Sequence, residues 1–291
     1  MYNFLISRLA PVLYFHTMKT FILLFLLTAS HLLTAQPLTV LTYNIRLDNP
    51  ADGDDAWPKR RDFLAAQIRF HAPEVFGVQE ALHQQMEYLA ETLPEYAWVG
   101  GGRDDGKQAG EYSALFYRKD RFEALSSGTF WLSETPDKPS KGWDAALNRV
   151  CTYALLQDKK TQQKTWVFNT HFDHMGQEAR RRSAELIVQK SKAFNTDDTP
   201  VIVMGDLNAH PDEAPIEVMK NAFTDARDAS AEPPFGPTGT FNGFNFYDPV
   251  TRRIDYVFIK GLKVLQYAVL SDSKDCHYPS DHLPVLVRFV R

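Results

Sequence analysis

Val201-Ile202-Val203-Met204-Gly205-Asp206-Leu207-Asn208 places four apolar residues before a glycine, a carboxylate and an amide. A short apolar run with a breaker at its end reads as a buried strand. Its polar residues therefore fall where the strand stops. Two later stretches show the same chemistry beside an apolar run. Thr251-Arg252-Arg253-Ile254-Asp255-Tyr256 leads into one, and Pro279-Ser280-Asp281-His282-Leu283-Pro284 leads into the last, Val285 to Val290. One Asp-His dipeptide says little. Three carboxylate-bearing segments that each border an apolar run point to a single polar site built at strand ends.

Working outward, the same pattern recurs. Leu38 to Ile45 is rich in strand formers and carries Asn44, and Val75 to Glu80 is a short buried strand ending in a carboxylate. Thr165 to Thr170 delivers His171. Tyr112 to Tyr117 and Arg121 to Leu132 read as a pair of strands, with further strands over Arg149–Leu156, Arg253–Lys260, Lys263–Leu270 and Val285–Val290. Pro58 opens a helix in which Phe63, Leu64, Ile68 and His71 recur at helical spacing, and Pro73 closes it. Helices also fit His83–Leu93 and Gln177–Phe194, with a short one near Ile216–Asn221 inside an otherwise irregular 207–250. Within 177–194, Arg180-Arg181-Arg182 reads as a solvated face. Many strands with few helices predict two packed sheets with helices outside.

Composition agrees with one globular domain over 37–291. Hydrophobic residues make up 44% of the 291 residues and charged residues 23%, and no Pro/Gly/Ser linker divides them. Before that domain, Met18-Lys19, the apolar Phe21 to Leu27 and the small-residue exit Thr34-Ala35-Gln36 form a secretory signal pattern over 18–36. The apolar stretch is shorter than the roughly 20 residues of a membrane span. Residues 1–17 do not belong to that pattern and read as an upstream extension, with Met18 as the start and Pro37 near the mature terminus. A periplasmic or secreted location follows. Residues 1–36 hold two of the 32 basic residues and none of the 36 acidic ones, so the remainder carries a net charge of about −6. That balance disfavours a broad nucleic-acid footprint. Cys151 and Cys276 could pair in an exported protein, and no Cys/His group has zinc spacing.

Asn44, Glu80, His171, Asp206, Asn208, Asp255, Asp281 and His282 supply oxygens, amides and two imidazoles, with no Ser or Cys nucleophile beside a base. This set suits hydrolysis of a phosphate ester. Hard oxygen ligands fit Mg²⁺ or Mn²⁺. A carboxylate-held imidazole can move a proton near neutral pH, and amides can donate to transition-state oxygens.

Thr42-Tyr43-Asn44-Ile45, Val78-Gln79-Glu80, Asn169-Thr170-His171, Gly205-Asp206-Leu207-Asn208, Arg253-Ile254-Asp255-Tyr256 and Ser280-Asp281-His282-Leu283-Pro284 resemble, in order, the motifs of the endonuclease/exonuclease/phosphatase superfamily. That group includes deoxyribonuclease I, abasic-site endonucleases, inositol polyphosphate 5-phosphatases, sphingomyelinases and deadenylases. Gly102–Gly106, Gly110–Ser113, Phe130–Pro136 and Gly142–Ala146 resemble an exported bacterial subgroup. The resemblance implies a four-layer α/β/β/α sandwich of two mostly antiparallel sheets and in-line attack by water. It implies a metal held by Glu80, Asn44 and Asp281. Asp206 would orient or deprotonate water, Asn208 would stabilise the phosphorus centre, Asp255 would orient His282, and His171 would meet the phosphate or leaving group. Glu111, Tyr112, Asn148 and Arg149 are candidates to line the cleft, Arg149 as a second phosphate contact because guanidinium pairs with phosphate oxygens. The loop Phe241–Tyr247 is a candidate to border the cleft and stack on a substrate ring. The expected substrate is a small or lipid-linked phosphate ester met by a monomer. A secreted nuclease, which needs a basic cleft, and a non-catalytic binding protein are the alternatives.

Overall fold

The computed structural model describes residues 37–290. The extension over 1–17 and the signal segment over 18–36 lie outside the described residues. Among the described residues, no helix is long and apolar enough to cross a membrane.

Alternation along the strands decides the layering. In β1 (Leu38–Asn44), Leu38 and Val40 join one cluster of buried side chains while Leu41 and Tyr43 join another. In β8 (Val201–Asp206), Ile202 and Met204 face the first cluster and Val201 and Val203 a third. A strand apolar on both faces must be covered on both. The first sheet runs β11 (Lys263–Val269), β12 (Val285–Val290), β1, β2 (Val75–Ala81), β4 (Tyr112–Arg118), β3 (Tyr96–Val99). The second runs β5 (Phe122–Trp131), β6 (Val150–Asp158), β7 (Lys164–His171), β8, β10 (Asp255–Lys260), β9 (Thr224–Asp225). They pack face to face around the first cluster.

The outer faces carry the helices. α1 (Trp57–His71) and α2 (His83–Thr92) bury Leu64, Ile68, Met86 and Leu89 on the first sheet. α3 (Gln177–Phe194) and α4 (Ala214–Ala222) bury Ala184, Ile187, Ile216 and Met219 on the second. The expected four-layer α/β/β/α sandwich is what forms. α1 starts with Pro58 in its first turn and ends at Ala72 in the left-handed region, just before Pro73.

Two expectations are corrected, and the cysteine pairing left open by the sequence is decided. Tyr112–Tyr117 and Arg121–Leu132 do not pair with each other. β4 pairs with β2 and β3, whereas β5 starts the second sheet beside β6. The chain between them is where it crosses from one layer to the other. Arg180 is not on a solvated face: it is buried, donating from Nη1 to the Asp173 carbonyl at 3.2 Å. Arg181 and Arg182 do pair on the surface with Glu178 and Glu185. Cys151 and Cys276 are both free, one buried in the third cluster and the other exposed.

Most strand pairs are antiparallel, but two are parallel and each is spanned by a helix. β1 pairs parallel with β2, and β7 with β8. Asn44 therefore lies opposite Gln79, and His171 opposite Asp206, at the carboxyl ends of their strands. β10 runs antiparallel to β8, so its first residue, Asp255, meets Asp206. β12 runs antiparallel to β1, so the segment before it, with Asp281 and His282, arrives at the same end.

Deleting buried methyl groups leaves a cavity that close-packed neighbours fill only partly. Ile187→Ala in α3 is expected to cost about 2–5 kcal/mol in urea unfolding. Arg181→Ala, on the surface ladder of the same helix, is expected to stay within about 1 kcal/mol.

Candidate active site

The site forms where the four strand ends and the 280–282 segment meet. Local backbone strain aims several of its side chains. Glu80, Asn208 and Arg46 have φ values of 64°, 45° and 54°, in the left-handed region that non-glycine residues avoid. At Glu80 the strain accompanies a register shift between β2 and β4 over Val78–Ala81, a bulge that redirects the side chain. Gly205 is required at its place: at φ 146° a Cβ would collide with the Thr170 carbonyl of β7.

Asp206 stands at the centre. Its Oδ1 accepts from the Asn208 backbone N–H at 2.9 Å, and its Oδ2 accepts from Asn44 Nδ2 at 3.0 Å. Oδ2 also lies 3.6 Å from His171 Nε2 and 3.7 Å from His282 Nε2. His282 Nδ1 sits 2.9 Å from Asp255 Oδ2, so that carboxylate fixes the ring and leaves Nε2 toward Asp206. Asn208 Nδ2 donates to the Phe172 carbonyl and to His171 Nε2, both at 3.0 Å. Asn44 donates to Glu80 Oε1 at 3.0 Å while its Oδ1 accepts the Arg46 N–H at 3.1 Å. Arg46 is gripped by Asp52 at 2.9 and 3.0 Å and stands 3.9 Å from both Glu80 and Asp281.

Burial and close neighbours set the charges. Burial and the adjacent Asp255 push the Asp206 carboxyl up to about 7, against His282 and its amide donors. Burial alone would lower His282, but Asp255 and Asp206 outweigh it and hold the imidazole up at about 10. Burial, then Arg149 and Arg103, drive His171 well below its ordinary value, so it is a neutral ring accepting the Asn208 amide. Burial also raises Asp281.

Arg46, Glu80, His171, Asp206, Asn208, Asp281 and His282 line a cleft of about 360 Å³ together with Leu47, Glu111, Leu147, Arg149, His174, Phe241, Arg252 and Ile254, whereas Asn44 and Asp255 are buried behind its wall. Arg149 is buried, with Nε 3.4 Å from Asp173, Nη2 3.1 Å from His174 and Nη1 without a partner among the described residues. Glu111 is at the cleft, paired with Arg103 at 2.7 Å. Two expected lining residues are not there. Tyr112 is fully buried, its hydroxyl donating to the Lys107 carbonyl at 2.6 Å, because β4 alternates and points it away from Glu111. Asn148 turns to Asp104 at 3.3 Å. Of the 241–247 loop, Phe241 alone lines the cleft. Phe244 lies against Arg60 and Phe246 against Tyr278. His174, Arg46 and Arg252, which carried no motif signal, are also at the cleft.

The donor set fits a hard divalent ion. Glu80, His171 and Asp206 offer ligand atoms within 4.8 Å of one another, and among the described residues Glu80 Oε2 accepts one N–H, from Leu47 at 3.2 Å. Asn44 presents its NH₂ to the carboxylates, so in this arrangement it orients ligands through hydrogen bonds.

Residues 41–282 match the family model described as "Endonuclease/Exonuclease/phosphatase family". A mannosyl-6-phosphatase from Bacteroides thetaiotaomicron is 37% identical, with TM-score 0.83 over 87% of this chain and 100% of that one. An endonuclease/exonuclease/phosphatase from Bacteroides vulgatus is 38% identical, with TM-score 0.83 over 87% and 98%. The human nocturnin catalytic domain, at 21% identity and TM-score 0.68 over 87% and 94%, is alike in fold.

The raised carboxyl of Asp206 fixes the sign of a pH effect. Its value rises from 3.8 to about 7 on folding, so its contribution to stability falls as pH climbs through that window. His282 is raised from 6.5 to about 10, so its contribution is complete below 6.5 and lost as pH rises to about 10. In metal-free buffer, Asp206→Asn is therefore expected to unfold later in urea than the parent at pH 8, by about 1–2 kcal/mol, with the gain shrinking toward pH 5.

Proposed function

The chain belongs to the endonuclease/exonuclease/phosphatase family, metal-dependent hydrolases of phosphate esters, and on that premise we propose that it is an exported phosphatase for a sugar phosphomonoester. One observation carries the choice of a monoester. Arg149 is a buried guanidinium at the cleft wall whose Nη1 has no partner among the described residues. A terminal phosphate has one more free oxygen, and more charge, than a diester, and so uses one more charged donor. The similarity to a mannosyl-6-phosphatase supports the sugar. Against a nuclease, the cleft mixes Arg46, Arg149 and Arg252 with Glu80, Glu111, Asp206 and Asp281. Polynucleotide backbones are held by continuous positive charge instead.

In this reading Glu80 would supply the principal ligand for Mg²⁺ or Mn²⁺, with Asp281 completing the carboxylate pair. When bound, the ion offsets negative charge on a phosphoryl oxygen. The chain's own residues do the rest. Arg149 and Asn208 hold phosphate oxygens. His282, oriented by Asp255, presents its Nε2 proton to the phosphate and steadies charge as it develops. Asp206 accepts a hydrogen bond from the attacking water and takes its proton. His171, neutral and fixed by Asn208, lies beside them to contact the phosphate or departing oxygen. Leu147 and Phe241 limit water at the cleft wall.

Hydrolysis of p-nitrophenyl phosphate, bis-p-nitrophenyl phosphate and mannose 6-phosphate, each with Mg²⁺, Mn²⁺ or EDTA, tests the reading. The monoesters are expected to turn over faster than the diester, EDTA to abolish turnover, and His282→Ala to lower kcat by about a hundredfold or more. Arg149→Ala is expected to penalise the monoester more than the diester. Faster diester cleavage that ignores Arg149 would replace this reading with a phosphodiesterase.

A further inference from the structure

We propose that Asp173 is the positioning residue of the phosphate site: its carboxylate fixes the direction of the Arg149 guanidinium and joins the two loop segments that wall the cleft beside it. The proposal rests on Arg149 contacting the phosphate, as above.

Asp173 is buried directly after the strand end that delivers His171, at 1% exposure. Its two oxygens divide five donors. Oδ1 accepts the backbone N–H of Ala146 at 3.1 Å, Met175 at 3.0 Å and Gly176 at 2.8 Å. Oδ2 accepts the Leu147 N–H at 3.2 Å and Arg149 Nε at 3.4 Å. Leu147 and His174, which lie on the two segments so joined, both line the cleft. Burial pushes the Asp173 carboxyl up, but the Gly176, Ala146 and Met175 donors and Arg149 outweigh it and hold it at about 2.

The chemistry of the arginine gives this network a purpose. With Nε on Asp173 and Nη2 on His174, the planar guanidinium is held by two of its edges and Nη1 is left over. An unheld arginine carries rotamer entropy that phosphate binding would have to remove. Held in advance, it meets the phosphate without that loss. Asp144 secures the same region from the other side by accepting the Ala179 N–H of α3 at 2.6 Å. The Gly142–Ala146 stretch that resembled a subgroup signature thus contributes to how the cleft wall is held, and Asp173 is where that wall meets the arginine.

Asp173→Asn separates this role from a turn. The amide oxygen can keep the Oδ1 contacts to Met175 and Gly176, whereas its NH₂ faces the Leu147 and Arg149 donors. The experiment measures KM and kcat for p-nitrophenyl phosphate, the inhibition constant of inorganic phosphate, and the thermal midpoint. These are read for the parent, Asp173→Asn, Arg149→Ala and the double variant, below the lowest midpoint. Asp173→Ser, whose hydroxyl can still serve the turn, replaces Asp173→Asn if that variant does not fold. We expect KM and the phosphate inhibition constant to rise about tenfold in Asp173→Asn, far more than kcat falls. We also expect no further rise when it is added to Arg149→Ala. Folded Asp173 variants with unchanged KM and phosphate inhibition, beside an impaired Arg149→Ala, would overturn the positioning role alone. Unchanged values in Arg149→Ala itself would overturn the reading of Arg149 on which it rests.

Discussion

Two sheets packed through apolar side chains alone can slide, and this site tolerates little sliding. Asn169 of β7 prevents it. Buried between the sheets, its Nδ2 donates to the Val78 and Ala114 carbonyls at 2.9 and 2.8 Å, and its Oδ1 accepts from Gln79 Nε2 at 2.6 Å. Gln79 in turn donates to Thr42 Oγ1 at 3.0 Å. Three strands of the first sheet are thereby tied to one strand of the second, two residues before His171. Directional bonds in a dry interior are strong, and losing one partner strands another, so the bridge fixes a single register. Gly77 is part of the same constraint, because a Cβ there would occupy the Asn169 amide. The approach of Asn44 and Glu80 to His171 and Asp206 follows from this tie.

Above that bridge the molecule accepts unfavourable terms that the fold elsewhere avoids. Asp206 and Asp255 are buried on either side of the His282 imidazole, and Asp255 Oδ1 has no partner among the described residues. Glu80, Asn208 and Arg46 hold left-handed backbone. Each is tolerated because the surrounding β-ladders over-determine the position. A cation held among the carboxylates would relieve the first of these terms.

Much of this was legible in the sequence because strand periodicity and motif order are local signals. The residues at the ends of apolar runs converge, since parallel pairing brings the ends of β1, β2, β7 and β8 to one edge and antiparallel partners bring the starts of β10 and β12 there. What was lost needed a third dimension. β4 and β5 are adjacent in sequence, yet they lie in different sheets, and no composition cue marks the crossing. Glu111 and Tyr112 sit side by side in sequence, but a strand sends neighbours to opposite faces. Arg180 was read with its two neighbours, although its spacing to Ala184, Ile187 and Ser191 belongs to the buried stripe of α3. Asp173 gave no signal because three of its five donors come from the backbone and side chain of 146–149, and nothing in its own neighbours announces them.

The two halves of the cleft differ in how they treat charge, and in the proposed reading that difference carries the preference for a monoester. On the Glu80–Asp281 side, oxygens are oriented by Asn44, Leu47 and Ser280 and kept 3.9 Å from Arg46, so that negative charge is left partly uncompensated. On the Arg149 side a guanidinium is buried against one carboxylate at 3.4 Å and one imidazole, so that positive hydrogen-bonding capacity is left over. A neutral ligand satisfies neither half, and an extended polyanion meets the carboxylates along with the arginines. A small terminal phosphate satisfies both halves. Its oxygens can share a cation with the acidic half while accepting from the basic one.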